Sequence, residues 1–188
     1  MADNRSLGEN LGRIYTALPT KATTTVVQAL VRIFRHCAIL NTIRIYLDTC
    51  SINRPLDDKS QLRIALEAEA ILSILSACDG GLHMLVSSDI LVYEISRNPH
   101  PQRKALASEV LVRAAERIVM TESIRQRANV LHKDGVKPLD ALHLACAEEG
   151  QVDCFCTCDD RLYKRARSRG DVRVRILTPL ELAQEVLP

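Results

Sequence analysis

The sequence predicts an α/β protein, a three-layer α/β/α sandwich around a central parallel sheet, on three observations. From Ile43 onward, short apolar runs alternate with longer stretches of helical periodicity, the pattern of strand–helix–strand units that pair in parallel. The β-branched run Ile43–Leu47 reads as a buried strand. Turn and cap residues (Asp79-Gly80-Gly81, Asn98-Pro99, Asp134-Gly135 and Gly150) fall between the periodic segments rather than inside them.

Taken in order, Ile43–Leu47 is the first strand. Gln61–Cys78 follows as a helix, with Ile64, Ala68, Ile71, Leu72 and Leu75 at three-to-four spacing along one face. His83–Val86 is the next strand, and Ser87 or Ser88 can cap the helix that carries Glu94. Asn98-Pro99 stops that helix, because the residue before proline disfavours the helical region. Pro101–Glu116 and Glu122–Lys133 read as helices, with a short strand at Arg117–Thr121 between them. Pro138 suits the first position of a helix carrying Asp140, and Gly150 suits its C-terminal cap. Val152–Thr157 and Val172–Leu177 are the last strands, and Asp159–Arg169 and Pro179–Leu187 the last helices. No internal repeat appears.

A chain of 188 residues, 47% hydrophobic and 26% charged, can bury a substantial core. Residues 1–42 stand apart as an N-terminal extension. They carry five basic residues against two acidic ones, leaving the remainder with 20 and 21. Thr24–Phe34 can form an amphipathic helix, but Gln28, Arg32, Arg35 and His36 break the region too often for a membrane span. The Arg- and Thr-rich composition also fits a transit peptide; a loosely ordered extension is the preferred reading. Seven cysteines, odd in number and scattered, favour reduced thiols and a cytoplasmic protein. Cys154, Cys156 and Cys158 would share one strand face, which cannot wrap a tetrahedral zinc site, so they read as small core residues.

Tryptophan is absent and aromatics make up 3%, so base-stacking platforms are excluded as the main mode of binding nucleic acid. Phosphate contacts remain. Arg161, Lys164, Arg165, Arg167, Arg169, Arg173 and Arg175 crowd residues 161–175, either as a solvated helix face or as a phosphate-contact surface.

Four acids sit at the boundaries of apolar segments: Asp48, Glu94, Asp140 and Asp159. In open α/β sheets the chemistry gathers at the carboxyl ends of the strands, where Asp48 and Asp159 would lie. Two carboxylates about 4 Å apart repel by roughly 4 kcal/mol at an effective dielectric of 20. A hard divalent cation with oxygen ligands relieves that repulsion. Asp160 is the rival to Asp159, and the Thr157-x-Asp159 spacing favours Asp159. Asp89 reads as a first-turn helix residue. His143, on the face of Asp140, reads as packing or support for the acids rather than as a base. Asn53 and Arg54, in the loop beside Asp48, either shape that loop or touch RNA.

These motifs give the chain a recognisable likeness. Tyr46-Leu47-Asp48-Thr49-Cys50-Ser51-Ile52-Asn53-Arg54-Pro55, Pro138-Leu139-Asp140-Ala141-Leu142-His143-Leu144-Ala145 and Thr157-Cys158-Asp159-Asp160-Arg161-Leu162 resemble, in order and spacing, the PIN-domain family that includes the VapC-type toxin ribonucleases. The likeness covers residues 43–188 and implies a PIN-like nuclease domain there. It implies catalytic and metal-binding roles for Asp48, Glu94, Asp140 and Asp159, with Mg²⁺ or Mn²⁺ as cofactor. It also implies an RNA substrate, an antitoxin partner, room for a homodimer and no membrane. Asp48 and Asp159 would be direct ligands, Asp140 would complete the shell directly or through water, and Glu94 would bind a second ion or accept a proton from water. Thr157 would orient a carboxylate or water. The implied activity is endoribonucleolytic, in a toxin or an RNA-processing enzyme; a PIN module that has lost activity is the competing class. A dinucleotide site is excluded for want of Gly-x-Gly-x-x-Gly after a strand, a Walker loop is absent, and a haloacid-dehalogenase-like phosphatase would want an acid where Cys50 stands.

Overall fold

In the computed structural model, which describes residues 42–187, five parallel strands form a single sheet in the order β3-β2-β1-β4-β5. The strands are β1 (Arg44–Leu47), β2 (Met84–Ser88), β3 (Glu116–Ile118), β4 (Cys154–Cys156) and β5 (Arg175–Leu177). Ile45, Tyr46 and Leu47 are consecutive and all fully buried. Successive strand residues face opposite sides, so both faces of β1 are covered, as a central parallel strand between two helical layers requires.

The helices are α1 (Thr49–Asn53), α2 (Leu62–Asp79), α3 (Asp89–Ser96), α4 (Pro101–Val112), α5 (Glu122–Lys133), α6 (Pro138–Glu149), α7 (Asp160–Arg167) and α8 (Pro179–Val186). Helix α5 packs on α6, and α2 on α8. Register puts Ile45 beside Leu85 and Cys154, and Leu47 beside Cys156. Tyr46 stacks on Phe155 with ring centroids 5.4 Å apart, at the centre of the core.

Several boundaries differ from the sequence reading. The stretch after Asp48 is not a loop: α1 and a 3₁₀ turn at Arg54–Leu56 occupy it. Helix α4 ends at Val112, four residues early, and β3 is Glu116–Ile118, paired to the edge of β2. The strands β4 and β5 are only three residues each. Along α2 the expected face holds at Ala68, Ile71 and Leu75, joined by Ile74, while Leu72 points outward. Gly150 does cap α6, but with an ordinary right-handed φ of −73°. Its smallness is needed for another reason: a side chain there would run into Ile118. Cys154, Cys156 and Cys158 are buried, and the cysteines among the described residues are free thiols. No described helix is long and apolar enough to cross a membrane. The helix expected over residues 24–34 lies outside the described residues.

Candidate active site

The strand order reverses at β1, where the chain leaves β2 and β3 on one side and crosses to β4 and β5 on the other. At such a switch point the loops diverge and leave a crevice at the strands' carboxyl ends. Asp48 follows β1 directly, and Asp159 follows β4 by three residues. Helix α6 delivers Asp140 from its first turn, and α3 delivers Glu94.

Each acid is fixed by a local device. Asp48 is buried and caps α1, its Oδ1 accepting from the Ser51 N–H at 2.8 Å. Asp159 caps α7, its Oδ1 accepting from the N–H groups of Arg161 at 2.7 Å and Leu162 at 3.2 Å. Asp159 Oδ2 faces the Lys137 ammonium at 3.4 Å. Burial raises the Asp159 carboxyl, but these amides and Lys137 outweigh it and hold it below its usual range. Thr157, itself buried, accepts the Asp159 N–H at 3.0 Å and so fixes the backbone of the turn.

Asp140 is different. It accepts no hydrogen bond from any described residue. Burial raises its pKa, Lys137 opposes that, and the charges of Asp159 and Asp48 raise it further. A half-buried carboxylate in the field of two others, with no hydrogen-bond donor of its own, is only partly compensated by the charges of Lys137 and His143.

Glu94 stands to one side of these three. Its Oε2 accepts from His143 Nε2 at 2.9 Å and from the Thr49 hydroxyl. Burial raises this carboxyl, but the His143 and Thr49 hydrogen bonds outweigh it, leaving a net depression. Behind His143 the Tyr46 hydroxyl contacts Nδ1 at 2.8 Å and the Ser88 hydroxyl at 2.6 Å, all buried. A continuous Ser88–Tyr46–His143–Glu94–Thr49 network therefore aims Glu94 from the core.

Asp160, the rival acid, is exposed and engaged by both terminal nitrogens of Arg63, at 2.6 and 2.8 Å. Asp89 pairs with Arg117 on α3's first turn. Asn53 is buried, and Arg54 pairs with Asp57 and the buried Glu67; both shape the segment after Asp48. Residues that sequence reasoning passed over are Lys137, Tyr46 and Cys50. Lys137 precedes Pro138 by one position and Asp140 by three, and Tyr46 shares the strand parity of Asp48; those spacings were the available signals. The Cys50 thiol lies 3.0 Å from Asp48 Oδ1 and accepts the Cys158 N–H at 3.2 Å. Burial and these neighbours push the Cys50 thiol up, its contact with Cys158 contributing most.

The donor set suits a hard cation: three carboxylates, with Asp48 Oδ2, Asp140 and Asp159 Oδ2 free of backbone capping. Among the described residues no three acidic, imidazole or thiol groups already converge as a finished cage.

No curated protein matches this sequence. Among solved structures, VapBC2 from Rickettsia felis, crystallised with a DNA fragment from its promoter, aligns over 72% of this chain and 98% of that one. The identity is 12% and the TM-score 0.49. The PIN-domain profile matches residues 45–168, a span running from within β1 through β4 that holds all four acids and the Tyr46–His143 network, and on that match the chain belongs to the PIN-domain family.

Proposed function

We propose that the protein is a Mg²⁺- or Mn²⁺-dependent endoribonuclease. The observation that carries this reading is Asp140: a partly buried carboxylate without a hydrogen-bond donor, beside Asp48 and Asp159 at the sheet's switch point. Asp48, Asp140 and Asp159 would hold the ion. When bound, it supplies neutralising charge for the phosphodiester and makes an attached water more acidic.

The remaining chemistry belongs to side chains. Glu94 is kept deprotonated by its hydrogen bonds, and these occupy Oε2. Its free Oε1 is the acceptor for the proton of the attacking water. His143 and Tyr46 position Glu94 without touching substrate. Lys137, within reach of Asp159, would meet a non-bridging phosphate oxygen of the substrate.

The test is cleavage of a labelled single-stranded RNA by purified protein. Mg²⁺ or Mn²⁺ should support cleavage, and EDTA should stop it. Cleavage that survives EDTA, or none in either metal, defeats the reading. The motifs shared with VapC-type ribonucleases support the narrower role of a toxin restrained by an antitoxin. Co-purification with the product of the adjacent reading frame, and loss of cleavage in that complex, tests it.

A further inference from the structure

The basic segment 161–175 divides into two populations. Arg167 pairs with Glu181, Arg169 with Asp134 and Asp171, Arg173 with Glu148, and Arg175 with Glu185. These four are spoken for. Arg161, Lys164 and Arg165 are exposed and have no acidic partner within ion-pair distance among the described residues. Asp160, the acid beside them on α7, is held by Arg63.

The three unpaired cations are not scattered. At positions i, i+3 and i+4 they share one face of α7, with Arg161 about 5–6 Å, between Cβ atoms, from both Lys164 and Arg165. They line one cleft of about 560 Å³ together with Lys137 and Asp140. The left-handed turn at Gly135, φ +93°, lets the Arg165 guanidinium lie against the α5–α6 connection as the cleft wall. The same cleft thus holds the donor-free carboxylate and three unneutralised cations. Elsewhere the same segment neutralises its cations, at Arg167, Arg169, Arg173 and Arg175. Leaving these three bare costs repulsion that a polyanion would relieve.

We propose that Arg161, Lys164 and Arg165, with Lys137, form a phosphate subsite that holds the substrate RNA strand to one side of the scissile bond. This rests on the nuclease reading for its orientation toward Asp140. No aromatic side chain lines the cleft, so the subsite reads the backbone and not the bases; it contributes affinity and register without base preference.

The experiment measures binding apart from cleavage. A fluorescein-labelled single-stranded 12-mer RNA is titrated with full-length protein in EDTA, by anisotropy, across a range of KCl concentrations. Arg161→Gln/Lys164→Gln/Arg165→Gln should weaken binding at least tenfold at low salt. It should also flatten the log K–log salt slope by about 2, at about 0.7 per neutralised phosphate. The control Arg167→Gln/Arg173→Gln/Arg175→Gln removes the same formal charge and should leave both nearly unchanged. If that control melts early, the single exchange at the largely exposed Arg173 replaces it. Equal losses in the two triples, or no binding by the parent protein, overturn the subsite. Cleavage in Mg²⁺ is followed on the same proteins. A parent that cleaves while the first triple binds normally sinks the subsite alone. A parent that never cleaves, with binding lost only in the first triple, keeps the subsite and sinks the nuclease reading.

Discussion

On the proposed nuclease reading Asp48 uses one carboxylate for two tasks, cap and ion ligand, and that makes its substitution informative. Oδ1 caps α1 through Ser51, while Oδ2 has no backbone donor and lies 3.2 Å from the Cys50 thiol. Asn retains a capping oxygen, and Asp and Asn are near-equal as caps, so Asp48→Asn should leave the melting temperature nearly unchanged. It removes a charged ligand. Outer partners of a metal site cost about 10–100-fold when lost, so RNA cleavage should fall by at least the upper figure. Unchanged turnover in a preparation free of other nucleases would remove Asp48 from the site. The same scale separates Asp159 from Asp160. Asp160→Asn breaks only an exposed pair with Arg63, worth at most about 1 kcal/mol, and should leave cleavage alone. Asp159→Asn should weaken Mn²⁺ binding, read by calorimetry, and cleavage together; the reverse ranking would move the fourth acid by one residue. The candidate acids could be picked out in the sequence because Asp48, Asp140 and Asp159 stand where an apolar run meets a helix start, while Glu94 follows the second strand-like run inside α3. Asp140's lack of a donor and the partner of Asp160 were not legible, since Arg63 lies 97 positions from Asp160.

At the scale of elements, β1 and α6 are tied by polar groups inside the core, and this tie positions Glu94. Tyr46→Phe keeps the ring stacked on Phe155 but leaves His143 Nδ1 and the Ser88 hydroxyl short of a partner. Leaving such buried groups unsatisfied costs about 1–3 kcal/mol, so denaturant midpoints should fall. Cleavage should also drop because His143 loses its anchor, mainly in kcat rather than KM since no substrate contact is removed. A variant as stable and as active as the parent would make the network incidental. A second tie joins α5, α6 and the segment before β5: Arg127 engages the buried Glu148 and also Asp171, which Arg169 holds too. Arg169 and Arg127 together lower the Asp171 carboxyl to about 2. The folded value is the depressed one, so this stabilisation is complete above the unfolded value near 3.9 and disappears as pH falls toward 2. Asp171→Asn should therefore melt a few degrees lower at pH 7 and converge on the parent by pH 2. Because Asp171 is half exposed, the effect should also shrink in high salt. Parallel melting curves with a constant offset down to pH 2 would contradict this assignment.

Across the whole molecule, the order of strands and helices could be read from apolar runs and turn residues, because buried parallel strands carry their signal locally. What escaped the reading depends on distant partners. Helix α1 exists because Asp48 caps it and Ile52 is buried in the core, though five residues carry almost no periodicity. The short β4 and β5 end where pairing ends, which a sequence run longer than the ladder cannot reveal. The same long-range logic bears on the first 42 residues, proposed above as an extension. Every strand of the described sheet lies between Arg44 and Leu177, the family match begins at residue 45, and residues 42–188 form one compact unit by their own contacts. A chain starting at Thr42 keeps that unit whole, including the backbone pairing of Met84 with Ile43. It should melt cooperatively within a few degrees of the full-length protein and cleave the same RNA. It loses the whole positive surplus of the sequence, so any change should appear as a shallower salt dependence of RNA binding, with the metal requirement unaltered. Near-ultraviolet circular dichroism and cleavage rates on the two proteins decide the matter. A truncated chain without fixed tertiary signal, beside an active full-length protein, would make residues 1–41 part of the fold rather than an appendage to it.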